Sequence, residues 1–142
     1  MFQNRLVNVM VIILVSFTLI GVVALVLFNY FETPEAGADP SIDKIIENSW
    51  QTEEITTNLN GDEIVRASFQ IHTDTKSAKN ELEKRDFQMN NLIIRHLAGL
   101  SAAELQSQKG IDEMESELRN KMNEMMDEGK IVRVYTTQRM IQ

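Results

Sequence analysis

A continuous apolar run near the start of the chain constrains its fold more than any other feature. Between Val9 and Phe28 the sequence VMVIILVSFTLIGVVALVLF contains no charged residue and is interrupted only by Ser16, Thr18 and Gly21. Twenty residues of α-helix rise about 30 Å, which is the thickness of the hydrocarbon core of a bilayer. The many β-branched residues do not oppose a helix, because in lipid a helix satisfies its own backbone groups. We therefore predict one transmembrane helix, anchored from Val9 to Phe28.

The charges on either side of this run predict the orientation of the helix. Residues 1–8 carry Arg5 and the α-amino group, whereas residues 29–43 contain no Lys or Arg and several acidic residues. Positive charge beside a transmembrane helix favours the cytoplasmic side. We expect residues 1–8 to form a cytoplasmic tail, with the helix in the cytoplasmic (inner) membrane and the rest of the chain outside.

A cleaved signal peptide is the alternative interpretation of the same run. Ala36-Gly37-Ala38 fits the small-x-small pattern of a cleavage site. However, the run is longer than the apolar core of a signal peptide, which has about 7–15 residues. The cleavage pattern also lies well beyond the end of the run at Phe28. These two mismatches favour a retained anchor.

The part of the chain after the helix is acidic and has no cysteine. Of the 14 Lys and Arg residues only Arg5 precedes the helix, which leaves 13 basic against 21 acidic residues and a net charge of −8. A negative domain repels a phosphate backbone, so we expect no nucleic-acid partner. The lack of cysteine excludes disulfides, a thiol nucleophile and a cysteine metal site.

Residues 29–48 are predicted to form a linker that contains one short helix. The segment FETPEAGADPS holds both prolines and few apolar residues. Ser41 can cap a helix that follows, with Trp50 near its end and three isoleucines on one face, namely Ile42, Ile45 and Ile46. We expect these apolar residues to dock the linker on the domain of residues 49–142.

Two strands are predicted near residues 53–59 and 63–73. Apolar residues alternate with polar ones on both sides of Asn60-Gly61, a dipeptide typical of a tight hairpin in which both turn positions have positive φ. The alternation in the second strand buries Phe69 and Ile71 and leaves His72 facing outward.

From Ser77 the spacing of the apolar residues becomes helical. One helix is predicted to run to Gly99, with Glu81–Arg85 as an exposed i,i+4 pair. Ser101 to Glu104 reads as a capping box that begins a short helix. A longer helix follows Lys109-Gly110, ends before Gly129 and presents one apolar side, formed by Ile111, Met114, Leu118, Met122 and Met125.

The segment from Ile131 to Ile141 is rich in β-branched residues and is predicted to be the last strand. The fold class is therefore α+β: one N-terminal transmembrane helix and then a small β-β-α-α-β domain, with helices packed on an antiparallel or mixed sheet.

Residues that could carry chemistry are scarce. His72 and His96 are the only histidines, and neither lies in a metal-binding pattern, so we interpret them as surface or boundary residues. The carboxylates between Asp112 and Glu117 read as a solvated helix face, paired as Glu115–Arg119 and Glu117–Lys121. We predict no catalytic, metal-binding or cofactor-binding site, and the sequence leaves the partner-binding residues unknown.

Two stripes of residues have alternative interpretations. Met114, Met122, Met125 and Met126 fit either a core face or an adaptable binding surface, and helical spacing favours the core. In the apolar run, the small or weakly polar Ser16, Thr18 and Gly21 are compatible with helix–helix contact, but they also occur in anchors that pack on nothing.

In the second half of the chain, Lys109-Gly110 opens the long helix, Asn123 lies late in it, and a last strand with Val134 and Tyr135 is followed by Gln142. Through this ordered set of features, the segment from Leu92 to Gln142 resembles the flagellar basal-body-associated protein FliL family. The segment EEITTNL before a paired strand and the single N-terminal anchor agree with it, so the resemblance spans nearly the whole chain. One departure is Thr136-Thr137, where the family more often has an aromatic residue, which puts the register of this strand in doubt.

The resemblance implies a non-enzymatic accessory protein of the flagellar basal body that associates with stator units and supports torque, swimming and swarming. It also implies a stomatin-like (SPFH) fold for the exported domain and a homo-oligomeric ring in the membrane, where the helix contacts lipid. Two other classes stay open from the residues alone. A tethered ligand-binding module would need a concave polar pocket, and a tethered hydrolase would need two carboxylates converging in a cleft.

Overall fold

The structure is a computed structural model that describes residues 4–32 and 39–142. The chain divides into two compact units, Met1–Asp39 and Pro40–Gln142. The middle of the predicted linker, with the cleavage pattern Ala36-Gly37-Ala38, lies outside the described residues.

The first unit contains one helix, α1, from Arg5 to Glu32. Its most apolar stretch lies within Arg5–Asn29, has a mean hydropathy of 3.1 and has no buried part. By length and composition, α1 is the one helix among the described residues that could cross a membrane. The Ser16 hydroxyl donates to the Ile12 carbonyl at 2.8 Å, and Thr18 donates to Val15 at 2.8 Å. Both hydroxyls are thus satisfied within the helix and need no neighbouring helix.

The second unit is built on a four-stranded antiparallel sheet with β3 at its centre. The strands are β1 (Ser49–Gln51), β2 (Ile55–Asn58), β3 (Ile64–Thr73) and β4 (Ile131–Ile141). β4 pairs with β3 over almost its whole length, so the shorter β1 and β2 share the other edge of β3.

Strand β1 is a feature that the sequence did not predict, since Trp50 lies in this strand and not at the end of a helix. Between β1 and β2, the Thr52 backbone N–H donates to the Phe69 carbonyl at 2.9 Å. The Thr52 hydroxyl accepts from the Phe69 N–H at 3.0 Å. A side chain thus replaces a backbone acceptor and joins the two short strands into one interrupted edge.

The predicted pairing of β2 with β3 is confirmed, but the tight turn is not. The connection runs over residues 59–63 and is closed by a hydrogen bond of 2.9 Å from the Leu59 N–H to the Glu63 carbonyl. Gly61 has φ +146°, whereas Asn60 is not among the residues with positive φ. The Asn60 N–H instead donates to the Leu100 carbonyl at 2.8 Å, which ties the loop to the helical layer.

Five helices belong to the second unit: α2 (Ile42–Glu47), α3 (Lys76–Lys84), α4 (Asp86–Ala98), α5 (Ala102–Gln106) and α6 (Gln108–Asn123). The predicted single helix from Ser77 to Gly99 is two helices, because Arg85 leaves helical geometry at φ −96° and ψ 16°. The β-β-α-α-β order was therefore too simple. Four helices separate β3 from β4, although the mixed helix and sheet character is as predicted.

The bounds of α6 differ from the prediction at both ends. The capping box of Ser101 and Glu104 is confirmed at the start of α5. α6 begins at Gln108, so Gly110 lies inside its first turn, where a Cβ would come within 1.9 Å of the Glu104 carbonyl oxygen. α6 ends at Asn123, and Gly129, with φ +69°, belongs to the loop before β4.

The core lies between one face of the sheet and the helices α3 to α6. Phe69 and Ile71 are fully buried, as predicted. Met114 and Met122 of α6 are buried together with Leu118, which confirms the core interpretation for these two methionines. Met125 and Met126 are only half-buried and pack against the edge of the core. The other large buried side chains are Val65, Leu82, Met89, Ile93, Leu97, Leu105 and Val134.

Helix α2 does not dock through its apolar face. Ser41 caps it as predicted, accepting from the Lys44 N–H at 3.4 Å, but Ile42 and Ile46 are 66% and 58% exposed. α2 is held by polar contacts at its end, where the Ser49 hydroxyl donates to the Ile45 carbonyl. The expectation that these apolar residues dock the linker is therefore wrong for Ile42 and Ile46, whereas Ile45 is half-buried and Trp50 packs against the core.

Strand β4 contains two register shifts against β3, one of them beside Thr136-Thr137, where the sequence departs from the family pattern. The Thr137 hydroxyl donates to the Ser68 carbonyl at 3.1 Å. The N–H and hydroxyl of Thr136 donate to the Glu115 carboxylate at 2.9 and 2.8 Å. The two threonines thus satisfy the backbone at a bulge, and an edge strand interrupted in this way resists pairing with another chain.

Candidate functional site: a groove between α4 and α6

Helices α4 and α6 run antiparallel and leave an open groove between them. Arg85, before α4, bonds to Asp127, beyond the end of α6, at 2.8 Å. Near the C-terminal end of α4, Nε2 of His96 lies 3.3 Å from the carboxylate of Glu117, which is closer to the N-terminal end of α6. The groove has a volume of about 830 Å³, within the usual range for ligand sites in proteins.

Side chains spaced four residues apart form the walls of the groove. One row begins on α4 and ends just beyond it, with Phe87, Asn91, Arg95 and Gly99, and a second row does the same, with Gln88, Leu92, His96 and Leu100. The opposite wall has the same spacing, with Glu117, Lys121 and Met125. The groove therefore follows the whole length of α4.

The apolar part of the lining is incompletely covered. Leu92, Leu100 and Met125 are half-buried, and Phe87 is 68% exposed in the first turn of α4. A large exposed aromatic side chain next to other apolar groups is typical of an interaction surface.

His96 lies beneath the groove toward the C-terminal end of α4 and is 9% exposed, so it is a boundary residue and not a surface residue. The Lys121 ammonium lies 3.1 Å from Nδ1 of His96. An ammonium can only donate, so Nδ1 accepts and the proton of the neutral ring resides on Nε2. Burial, with Lys121 nearby, lowers the pKa of His96, and the Glu117 carboxylate opposes this shift. Nε2 is buried without a hydrogen-bond partner among the described residues, because the Glu117 contact lacks hydrogen-bond geometry.

His72 is buried as well, on the sheet face opposite to Phe69 and Ile71. Alternation predicted this face correctly, but β1 and α2 pack against the same end of β3 and exclude solvent. Burial lowers the pKa of His72, and Asp74 opposes the shift. Residues 4–32 and 39–142 contain no group of three or more acidic residues and histidines arranged to hold a metal ion.

The carboxylates of α6 do not form the predicted i,i+4 pairs. Glu115 accepts from Thr136, and Glu117 and Lys121 both approach His96. Glu117 is the single carboxylate in the lining of the groove. The two converging carboxylates that a hydrolase would need are therefore not present in this groove.

The loop after α6 is held at one end of the groove by Glu81. Its carboxylate accepts from the N–H groups of Asp127 and Glu128 at 2.9 and 2.7 Å and from Arg85 at 2.8 Å. The Asp127 N–H is the main reason why the pKa of Glu81 is lowered. The predicted Glu81–Arg85 pair is confirmed, but it is not an exposed pair, since the Glu81 side chain is 13% exposed.

Asn123, the last residue of α6, bonds through its side chain to Ile131, the first residue of β4. Its Oδ1 accepts from the Ile131 N–H at 2.7 Å, and its Nδ2 donates to the Ile131 carbonyl at 3.0 Å. The side chain amide thus pairs with β4 as a neighbouring strand would. The sequence marked Asn123 only by resemblance, because a polar residue at a helix end does not reveal its distant partner.

The groove is suited to binding. It combines a mostly apolar lining with the cationic Arg95 and Lys121 and one acidic side chain, Glu117. The sequence does not reveal the groove, because its two walls are 17 or more positions apart in the chain. The one local signal was Phe87, an aromatic residue directly after the charged run Glu83 to Asp86.

Comparison with known proteins agrees with the resemblance. The family model described as "Flagellar basal body-associated protein FliL" matches residues 50–142. The "Flagellar protein FliL" of Bacillus subtilis (strain 168) is 41% identical over 106 residues, which cover 75% of this chain and 76% of the relative. The family match includes the groove, the Glu81 contacts and Asn123.

Proposed function

Because this chain belongs to the FliL family of flagellar basal body-associated proteins, we propose that it is a non-enzymatic, membrane-anchored accessory protein that associates with the stator units of the flagellar motor. The match over residues 50–142 carries this proposal. The predicted resemblance to the family is thereby confirmed. FliL is a flagellar accessory family that is not known as an enzyme family.

In the proposed arrangement, residues 1–8 are a cytoplasmic tail and residues 9–28 cross the inner membrane, with Val9 and Phe28 near the two interfaces. Residues 29–48 form the linker, and residues 49–142 form the exported domain. The exposed apolar side chains of α1 support this arrangement, because lipid is the environment that suits them. Arg5 at the start of α1 supports the cytoplasmic position of the N-terminus.

The proposed role is that of a scaffold which acts by confinement. Anchoring two partners in one membrane raises their effective concentration toward roughly millimolar, so individually weak contacts become productive. The second unit is acidic and needs only weak contacts with the stator and with further copies in a ring. A stomatin-like arrangement of that ring is part of the same proposal.

Deletion of the protein in a motile bacterium tests this function. Flagellar filaments should still assemble, while torque, swimming speed or swarming decreases. A chimera in which an unrelated single-pass helix replaces residues 9–28 should restore motility, whereas the same domain exported without an anchor should not. Unchanged torque and swarming in the deletion strain would refute the proposed function, and full rescue by the untethered domain would refute the role of confinement.

Retention of the anchor has its own test. The mature protein should begin at or next to Met1 and should resist extraction from membranes by carbonate. A mature N-terminus at Asp39 would show that a signal peptide is removed and would overturn the proposed arrangement.

A further inference from the structure

The shape of the groove between α4 and α6 matches a helix. The thirteen residues of α4, along which the groove runs, extend about 20 Å, which is the length of between three and four helical turns. Rows of side chains four residues apart border the groove on both sides. Such i±4 rows are the ridges between which a further helix packs its own ridges.

The charge of the groove differs from that of the domain around it. Residues 40–142 contain 13 basic and 18 acidic side chains, a net charge of −5. Along the groove, the two cationic side chains of Arg95 and Lys121 outnumber the single carboxylate of Glu117. Arg95 has no hydrogen bond or ion pair within the part of the chain that the structure describes. The groove is thus a locally cationic site in an acidic domain, and it complements a carboxylate.

The apolar residues in the same groove require a partner that is also apolar. Phe87 lies at one end of the groove and is largely exposed, and the half-buried Leu100 lies at the other end, so Arg95 lies between two apolar groups that are incompletely covered. A small anion would neutralise Arg95 and leave both ends exposed. An amphipathic helix can cover the two ends and place acidic residues between them.

We propose that the groove between α4 and α6 docks an amphipathic helical segment of another polypeptide, which presents an apolar stripe and at least one carboxylate facing Arg95. This inference rests on the proposed function, since it assigns the chemistry by which a motor partner is recognised. The buried Nε2–H of His96, which has no hydrogen-bond partner among the described residues, adds an unfilled donor to the lining of the groove.

The test uses the full-length chain in nanodiscs of neutral lipid and three synthetic 14-residue helical peptides. The peptides share one leucine stripe, and the two residues that flank its centre are Glu, Gln or Lys. Fluorescence anisotropy should show that the Glu peptide binds at least tenfold more tightly than the Lys peptide. Arg95→Gln should remove most of this difference, whereas Arg66→Gln, on an exposed sheet position outside the groove, should preserve it.

A second pair of variants tests the apolar contact. Phe87→Ser should weaken binding of the Glu peptide at least tenfold. Ile94→Ser should change it less than twofold, because Ile94 is also exposed on α4, at 39%, but does not line the groove. Both variants should have the same urea midpoint of unfolding as the wild type, as measured by the fluorescence of Trp50. Equal affinity for the Glu and Lys peptides, or equal losses in the two serine variants, would overturn the inference.

A photo-crosslinking residue at position 87 identifies the occupant in motile cells. An adduct with a different polypeptide supports the proposal, whereas an adduct with lipid or with a second copy of this chain overturns it. The outcome is separable from the proposed function. If the peptides fail to bind while the deletion strain loses torque, only the groove assignment is wrong. If the peptides bind as expected while the deletion strain keeps its torque, only the proposed motor role is refuted.

Discussion

Replacing Asn123 by alanine removes both hydrogen bonds by which α6 holds the start of β4. Ile131 is 2% exposed, so its N–H and carbonyl lose their partners in a place that water reaches poorly. Asn120→Ala is the matched control, because Asn120 lies three positions earlier in the same helix, is exposed and makes no side-chain hydrogen bond within the described residues.

The expected loss of stability follows from these two bonds. Each contributes about 0.5–1.5 kcal/mol net, and a buried group left unpaired costs about 1–3 kcal/mol. We expect Asn123→Ala to lower the free energy of unfolding by roughly 2–3 kcal/mol. For a unit of this size, that loss corresponds to a decrease in Tm of roughly 8–20 °C. The Asn120→Ala control should stay within about 0.5 kcal/mol.

Asn123→Asp separates the two bonds. The aspartate still accepts from the Ile131 N–H, but it sets a carboxylate oxygen against the Ile131 carbonyl, where the amide had donated. Protonation restores a donor, so the pKa of this carboxyl rises in the folded state and stability is gained as the pH falls. Relative to Asn123→Ala, the aspartate variant should therefore become more stable between pH 7 and about 4.

Urea unfolding of the full-length protein in micelles, followed by the fluorescence of Trp50, measures these changes. Trp50 is the only tryptophan and lies in β1, so its signal reports on the second unit and not on α1. If Asn123→Ala shifts the transition no further than Asn120→Ala, the amide does not hold β4 and the reasoning is wrong.

Three further predictions use the same assay. Gly61→Val should cost about 1–3 kcal/mol, because φ of +146° is unfavourable for a β-branched residue; an unchanged transition would mean that the loop relaxes. Glu81→Gln should destabilise the protein at neutral pH and converge with wild type as the pH falls, because the lowered pKa of Glu81 gives stability that is lost on protonation. Wild type should lose stability as the pH falls below about 6.5. In the unfolded chain the imidazole of His96 takes up a proton there, whereas in the folded protein the lowered pKa of His96 keeps the buried ring neutral, so protonation favours the unfolded state. His96→Gln should flatten this dependence, and an unchanged slope would contradict the burial of a neutral ring.

Local patterns in the sequence were sufficient for the elements whose structure depends on near neighbours. The apolar run predicted α1, the alternation around Gly61 predicted the pairing of β2 with β3, and Ser101 predicted the start of α5. The break at Arg85 was not visible, because Leu82 and Met89 keep helical spacing across it and both face the core.

Features that depend on distant contacts were not predictable in this way. Alternation tells which sheet face His72 occupies, but not that β1 and α2 pack beside it. The groove exists only because α4 and α6 pack antiparallel, which brings Arg95 and Lys121 into one lining. Glu117 and Lys121 have the i,i+4 spacing of an ion pair on a helix, but both side chains contact the buried ring of His96 instead.

The central position of β3 also determines when, during synthesis, the second unit can fold. β1 and β2 precede β3 closely in the chain, but β4 follows only after four helices, and the pairing joins Val65 to Ile141. Loop-closure entropy opposes such distant pairing until its contacts form, so we expect the pairing of β4 with β3 to be a late and slow step of folding. A nascent chain that has not reached residue 131 lacks one whole side of its central strand. In the proposed orientation, the second unit is therefore expected to remain incomplete, and able to pass through a narrow channel, until β4 has been synthesised.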